Sequence, residues 1–164
     1  MESFKAKGSY LVECFRDGKL AWSENIDNII VTEGRNHILD VTYHAAAQIT
    51  TWYLCPFEGN YTPVAGDTAA TFPASSTECT AYDEAARVAF VETAPSAGSL
   101  SNVGNVAVFT MNASKTLYGV SLSSVSTKSA TTGTLMSASR FAAPRAVVDN
   151  DVVQITYTIN VTSS

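Results

Sequence analysis

Charge is what this chain has least of. Only 15% of its 164 residues are Asp, Glu, Lys or Arg, against roughly 25% in an average soluble chain. The deficit excludes a long amphipathic coiled coil, which needs Glu and Lys in bulk, and intrinsic disorder, which needs high net charge with low hydrophobicity. The ten Lys and Arg are scattered singly in a chain of net charge −5. No basic stripe exists to neutralise a run of phosphates, so nucleic acid is not an expected partner. No run of 18 apolar residues occurs, and residues 1 to 8 (MESFKAKG) lack the apolar stretch of a signal peptide. The expectation is a soluble protein made in the cytoplasm, with no membrane partner. Three cysteines, Cys14, Cys55 and Cys79, share no C-x-x-C spacing, which argues against a disulfide framework or a zinc knuckle and for buried free thiols.

Hydroxyls replace charge: the chain holds 19 Thr and 18 Ser, and 46% of it is hydrophobic. Thr-rich, Lys-poor sequence broken into short apolar runs favours β structure. Two β-prone runs flank Asp17-Gly18, the signature of a two-residue hairpin turn whose central positions both need positive φ. Residues 28 to 41 follow, where Thr32 is placed to cap and Glu33 to sit in the first turn of a helix over residues 33 to 44, with Ile38 and Leu39 as its apolar face. Residues 51 to 57 read as a strand with Pro56 near its end. Residues 58 to 77, with Gly59, Pro63, Gly66 and Pro73, lose periodicity and predict a long loop. Short strands are expected at 78 to 82, 87 to 92, 103 to 111, 118 to 123 and 134 to 141. Residues 151 to 162 alternate cleanly, with Val153, Ile155, Tyr157, Ile159 and Val161 facing one way and Gln154, Thr156, Thr158, Asn160 and Thr162 the other. Some eight strands and one early helix predict an all-β, antiparallel two-sheet sandwich, jelly-roll-like, over residues 10 to 164, with residues 1 to 9 as a flexible amino-terminal arm.

Few residues suggest chemistry. His37, Asp40 and His44 share one face of the predicted helix at a spacing that resembles metal ligation, yet Asp40 and His44 also suit a solvated helix end. Asp83 and Glu84 are adjacent and cannot flank one glycosidic bond, so a local Glu84–Arg87 ion pair is the simpler reading. No Gly-x-Ser-x-Gly, activated-cysteine or phosphate-cradling motif appears. The chain therefore reads as a non-enzyme needing no cofactor and no metal. Trp52, Tyr53, Phe57 and Tyr61 offer the alternative of a sugar-stacking platform.

The succession Asn28-x-Ile30-Val31-Thr32-Glu33-Gly34-x-Asn36-x-x-Leu39-Asp40, then Thr51-Trp52-Tyr53-Leu54, then Tyr82-x-Glu84-x-x-Arg87 resembles a group of small structural proteins of tailed bacteriophages. In that group a hairpin leads into an "N-x-V-x-x-E-G-x-N-x-x-L-D" helix and a "T-W-Y" strand. The resemblance covers roughly residues 8 to 92. It implies a virion protein of the capsid decoration (cement) type, located on the capsid surface, with the major capsid protein of the same virion as partner and a homo-trimer or homo-dimer as assembly. The alternative role is a tail or head-fibre module that binds host-surface carbohydrate. On the decoration reading the amino-terminal arm and the 58 to 77 loop are expected to reach neighbouring subunits, which makes Phe4, Lys5, Lys7, Tyr61, Pro63 and Phe72 the candidate binding residues.

Overall fold

The computed structural model describes residues 3 to 163. Strands β1 (Phe4–Arg16) and β2 (Lys19–Asp27) form the opening hairpin, and Asp17 and Gly18 take φ of 50° and 73° as the turn requires. The two-residue β3 (Ile29–Ile30) leads into α1 (Thr32–Tyr43), followed by β4 (Trp52–Phe57) and a single-turn α2 (Phe72–Ser76). Then come β5 (Val88–Phe90), β6 (Ser99–Ser101), β7 (Ala107–Thr110), β8 (Lys115–Ser123), β9 (Leu135–Val147) and β10 (Val152–Ser163).

Two antiparallel sheets result. One has the order β2-β1-β10-β6, with β7 also pairing β10; the other runs β3-β9-β8-β4-β5. The chain is an all-β two-sheet sandwich. Its pairing is nested: β1 lies against β10 in the first sheet, while β3 lies against β9 in the second. Alternation along the strands fills the space between the sheets, with Tyr10, Val12 and Cys14 of β1 and Val153, Ile155 and Tyr157 of β10 almost completely buried. They meet Leu54, Val120 and Leu122 from the opposite sheet. Tyr10 and Tyr157 stack at 4.3 Å, and Ser137 Oγ lies 2.6 Å from the Tyr10 hydroxyl and donates to that of Tyr157, which pins one sheet to the other. At the opposite flank, Trp22 Nε1 donates to the Ala146 carbonyl and Arg145 pairs with Glu24.

Several expectations change. Residues 4 to 9 are not a free arm: they continue β1, with Phe4 opposite Ser163 and Lys7 opposite Asn160, because the Thr-rich end of β10 offers them a ladder. Met1 and Glu2 of that arm lie outside the described residues. The predicted loop at 58 to 77 contains α2 and carries Ala69 and Phe72 into a second core cluster with Val31, Phe57, Leu135 and Ala138. The second sheet is thus covered on both faces, and the alternation predicted for 118 to 123 is lost: Gly119, Ser121 and Ser123 are as buried as Val120 and Leu122. Residues 78 to 82 form only isolated bridges, Phe57 with Glu78 and Tyr82 with Met111.

The Asn28-to-Gly34 motif accounts for how the first sheet hands the chain to the second. Asn28 Oδ1 accepts from the Gly8 amide, and Asn28 Nδ2 donates to the Tyr157 hydroxyl. Val31, not Thr32, stands at the helix N-cap and is fully buried. Glu33 does more than face the helix dipole: one carboxylate oxygen accepts from the amides of Ala69 (2.8 Å) and Leu135 (2.7 Å). Gly34 lies against the backbone of β9, and a Cβ there would overlap the Met136 carbonyl. Any side chain at position 34 would push α1 off the sheet.

Candidate functional site

Where β2 ends, β1 goes on. The last β2 residue, Asp27, faces Ser9, so Phe4 to Gly8 have β10 on one side and, among the described residues, no paired strand on the other. Beside this open edge lies a groove of about 700 Å³, lined by the first residues of β1, by Asn28 to Ile30, by Arg35, Ile38 and Leu39 of α1, and by Asn160 and Thr162 of β10. The size is that of a site for a small ligand or a few residues of peptide.

Its lining is mostly apolar and carries three cations. Ile29, Ile30 and Ile38 are half-buried, whereas Phe4 is 73% and Leu39 54% exposed. Tyr43, one helical turn beyond Leu39, is 82% exposed. Adjacent residues on a helix point about 100° apart, so when Ile38 turns to the core Leu39 cannot follow. The expectation that both bury is met by Ile38 alone. Lys5, Lys7 and Arg35 supply three positive charges, and no described carboxylate lines the groove. Lys7 Nζ pairs with Asp27 Oδ2 at 2.9 Å just outside it, and Arg35 Nη2 donates to Thr32 Oγ1.

The six candidate contact residues separate into two sets. Phe4, Lys5 and Lys7 line the groove. Tyr61, Pro63 and Phe72 belong to a different, internally tied segment. The Tyr61 hydroxyl donates to Asp67 Oδ1 at 2.7 Å, a bond that holds the phenol above its usual pKa, and its ring stands edge-on to Phe72. Phe72 is 3% exposed and packs on Phe57, so it is a core residue and not a surface contact. Arg140 reaches Thr62, and the Thr32 amide donates to the Ala65 carbonyl, which fastens the segment to β9 and to the start of α1.

The other constellations dissolve in three dimensions. The His37 ring stands edge-on to Trp52 at 5.5 Å, while His44 Nδ1 sits 3.2 Å from Asp40 Oδ1. Among the described residues no group of three His, Cys, Asp or Glu side chains is placed to hold a metal ion. The four aromatics do not share one surface: Phe57 is buried, Trp52 packs against the core, Tyr53 follows it in β4 and so points to the opposite face, and Tyr61 packs edge-on to Phe72. Arg87 does not pair with Glu84. It forks onto Glu78 in the interior, and Glu84 instead accepts from the Thr110 amide. All three cysteines are free and buried. Desolvation pushes the Cys14 and Cys55 thiols up to about 12 and that of Cys79 to about 11.

No family model matches the sequence, and no curated protein matches it. Among the described residues no helix is long and apolar enough to cross a membrane. Sequence reasoning found the β1 side of the groove but missed Ile29, Ile30, Arg35 and Leu39. Two pairs of consecutive apolar residues, Ile29-Ile30 and Ile38-Leu39, were the available signal, because neither a strand nor a helix can bury both members of such a pair on one face.

Proposed function

We propose that this chain is a non-enzymatic structural subunit of a tailed-bacteriophage particle that docks on the outer surface of the capsid and decorates or stabilises the shell. The observation that carries the reading is the mostly apolar groove, lined also by Lys5, Lys7 and Arg35, at an open strand edge. Its lining offers contact area and positive charge to another protein. The bacteriophage-like succession from Asn28 to Asp40 supports it independently, since those residues set the helix that forms one wall of the groove. The partner on this reading is the major capsid protein. Repetition of the site over a symmetric shell, with the chain as a trimer or dimer, would supply avidity without a large interface per copy.

Purified particles provide the test. The protein should be present in stoichiometric amounts in virions, and shells assembled without it should lose integrity at lower temperature or lower salt than shells that carry it. Particles that contain none of the protein, or shells whose stability is indifferent to it, would refute the reading.

A further inference from the structure

The groove is bordered by backbone as well as by side chains, and the backbone specifies what can fill it. The Gly8 amide donates to Asn28 Oδ1 and the Gly8 carbonyl accepts from the Asn28 amide, so both Gly8 groups point away from β10. Backbone groups change sides at each successive residue of a strand, so the N–H and C=O of Ala6, and those of Phe4 beyond it, point the same way as those of Gly8. Asn28 occupies the place at Gly8. At Ala6 no described residue does so, because β2 has already ended. The edge is an unfilled position in the sheet, directly beside apolar side chains.

We propose that Phe4–Lys7 accepts an added antiparallel or parallel strand from the partner protein, an extended segment whose alternate residues are apolar and acidic. The inference deepens the shell-binding reading and rests on it in taking the occupant to be a protein segment. Main-chain hydrogen bonds to Ala6 and Phe4 would supply pairing; apolar side chains at every second position would fall on Ile38, Leu39 and Phe4. The intervening acidic residues would meet Lys5 and Lys7, which alternate with Phe4 and Ala6 along β1, and Arg35 of α1 adds a third cation to the lining, in a chain of net charge −5. A second copy of this chain is disfavoured on the same edge in the register that centres on Ala6. Antiparallel self-pairing centred on Ala6 sets Lys5 of one copy opposite Lys7 of the other, and like charges directly opposite destabilise a ladder. Lysines on an open edge are also a common guard against self-association, which leaves an oppositely charged strand as the complementary occupant.

The probe is a short peptide alternating glutamate and valine, titrated into the isotope-labelled full chain and followed by amide NMR. Shifts should fall on residues 4 to 8, on Ile29 and Ile30, and on α1, and exchange of the Ala6 amide should slow by about tenfold or more. Ala6→Pro removes the outward donor and keeps the Lys5 and Lys7 bonds to β10; it should weaken binding about tenfold, the scale of one hydrogen bond. Arg35→Glu leaves every strand intact and should weaken it several-fold, so the test survives if the proline variant does not fold. A lysine–valine peptide should not bind. Equal binding of the two peptides, unchanged affinity in the folded Ala6→Pro variant, shifts on another face, or occupancy of the groove by decanoate but not by the peptide would each overturn the inference. Shell binding by the wild type and the Ala6→Pro variant separates the two claims. Failure of the wild type to bind shells removes the capsid reading, whereas equal binding by both removes only the strand addition.

Discussion

Replacing Arg87 should be among the most damaging single changes in this protein. Arg87 and Glu78 are 2% and 4% exposed at their side chains, and the guanidinium forks onto both carboxylate oxygens. Its remaining donors reach the carbonyls of Val125 and Ala130, while Glu78 Oε2 also accepts from the Ser129 amide. One ion pair therefore fixes both the 78 to 87 segment and the 125 to 130 loop. Arg87→Met would leave the Glu78 carboxylate desolvated with a single amide donor, and removing one member of a buried pair costs about 3–5 kcal/mol. In a domain of this size each kcal/mol moves the melting temperature by about 2–4 °C, so a fall of roughly 6–20 °C is expected. The double change Glu78→Leu with Arg87→Met removes both charges and should be more stable than Arg87→Met alone, because the three loop groups it frees are near enough to solvent to find water. Glu84→Gln, which spares the pair, should cost under about 1 kcal/mol. Urea unfolding followed by the fluorescence of Trp22 and Trp52 measures the wild type, these three variants and Glu78→Leu alone, which closes the double-mutant cycle. An Arg87→Met variant within about 1 kcal/mol of wild type, or single changes that add without coupling in the double variant, would refute the reasoning.

Gly34→Ala should destabilise by about 1–3 kcal/mol in the same unfolding assay, since its Cβ meets the Met136 backbone and neither α1 nor β9 can yield without opening the groove. The thiols should ignore a thiol-specific reagent in the native protein at pH 8 and react, all three, once it is unfolded; burial places their pKa values at about 11 to 12. Asp151, buried and bonded to Arg16, has its pKa lowered by that hydrogen bond. A depressed carboxyl pKa adds stability above its unfolded value near 4 and loses it as pH falls through the lower, folded value. Acid unfolding should therefore set in below about pH 4, and Arg16→Gln should flatten that part of the stability–pH curve. A variant as acid-sensitive as wild type would exclude this assignment.

Local rules acting over a few residues were enough for part of this protein. The hairpin at Asp17-Gly18 follows from the positive φ its turn demands, α1 from its acidic first turn and its Asn28–Gly34 entry, and β10 from strict alternation over ten residues. The scarcity of charge predicted hydroxyls on the outward faces of strands, and Thr156, Thr158 and Thr162 of β10 are placed so. Ser121, Ser123, Ser137 and Ser139 are buried instead. Nothing near them in sequence marks the difference, because it arises from the 58 to 87 segment folding over the second sheet and from the two tyrosines that Ser137 joins. The same limit applies to the site. The sequence pointed to Phe4, Lys5 and Lys7 through their position, and to Phe72 for the same reason, yet Phe72 lies in the core. Arg87 has Glu84 as its near neighbour in sequence, yet its partner, Glu78, is nine residues away. Periods of two and 3.6 residues and turn chemistry are local, and they dictate hairpins, strands and helices one at a time. Which strand ends before its neighbour, and hence where a groove and an open edge remain, was decided by the tertiary structure, since strand lengths are matched across a sheet only after distant segments have met.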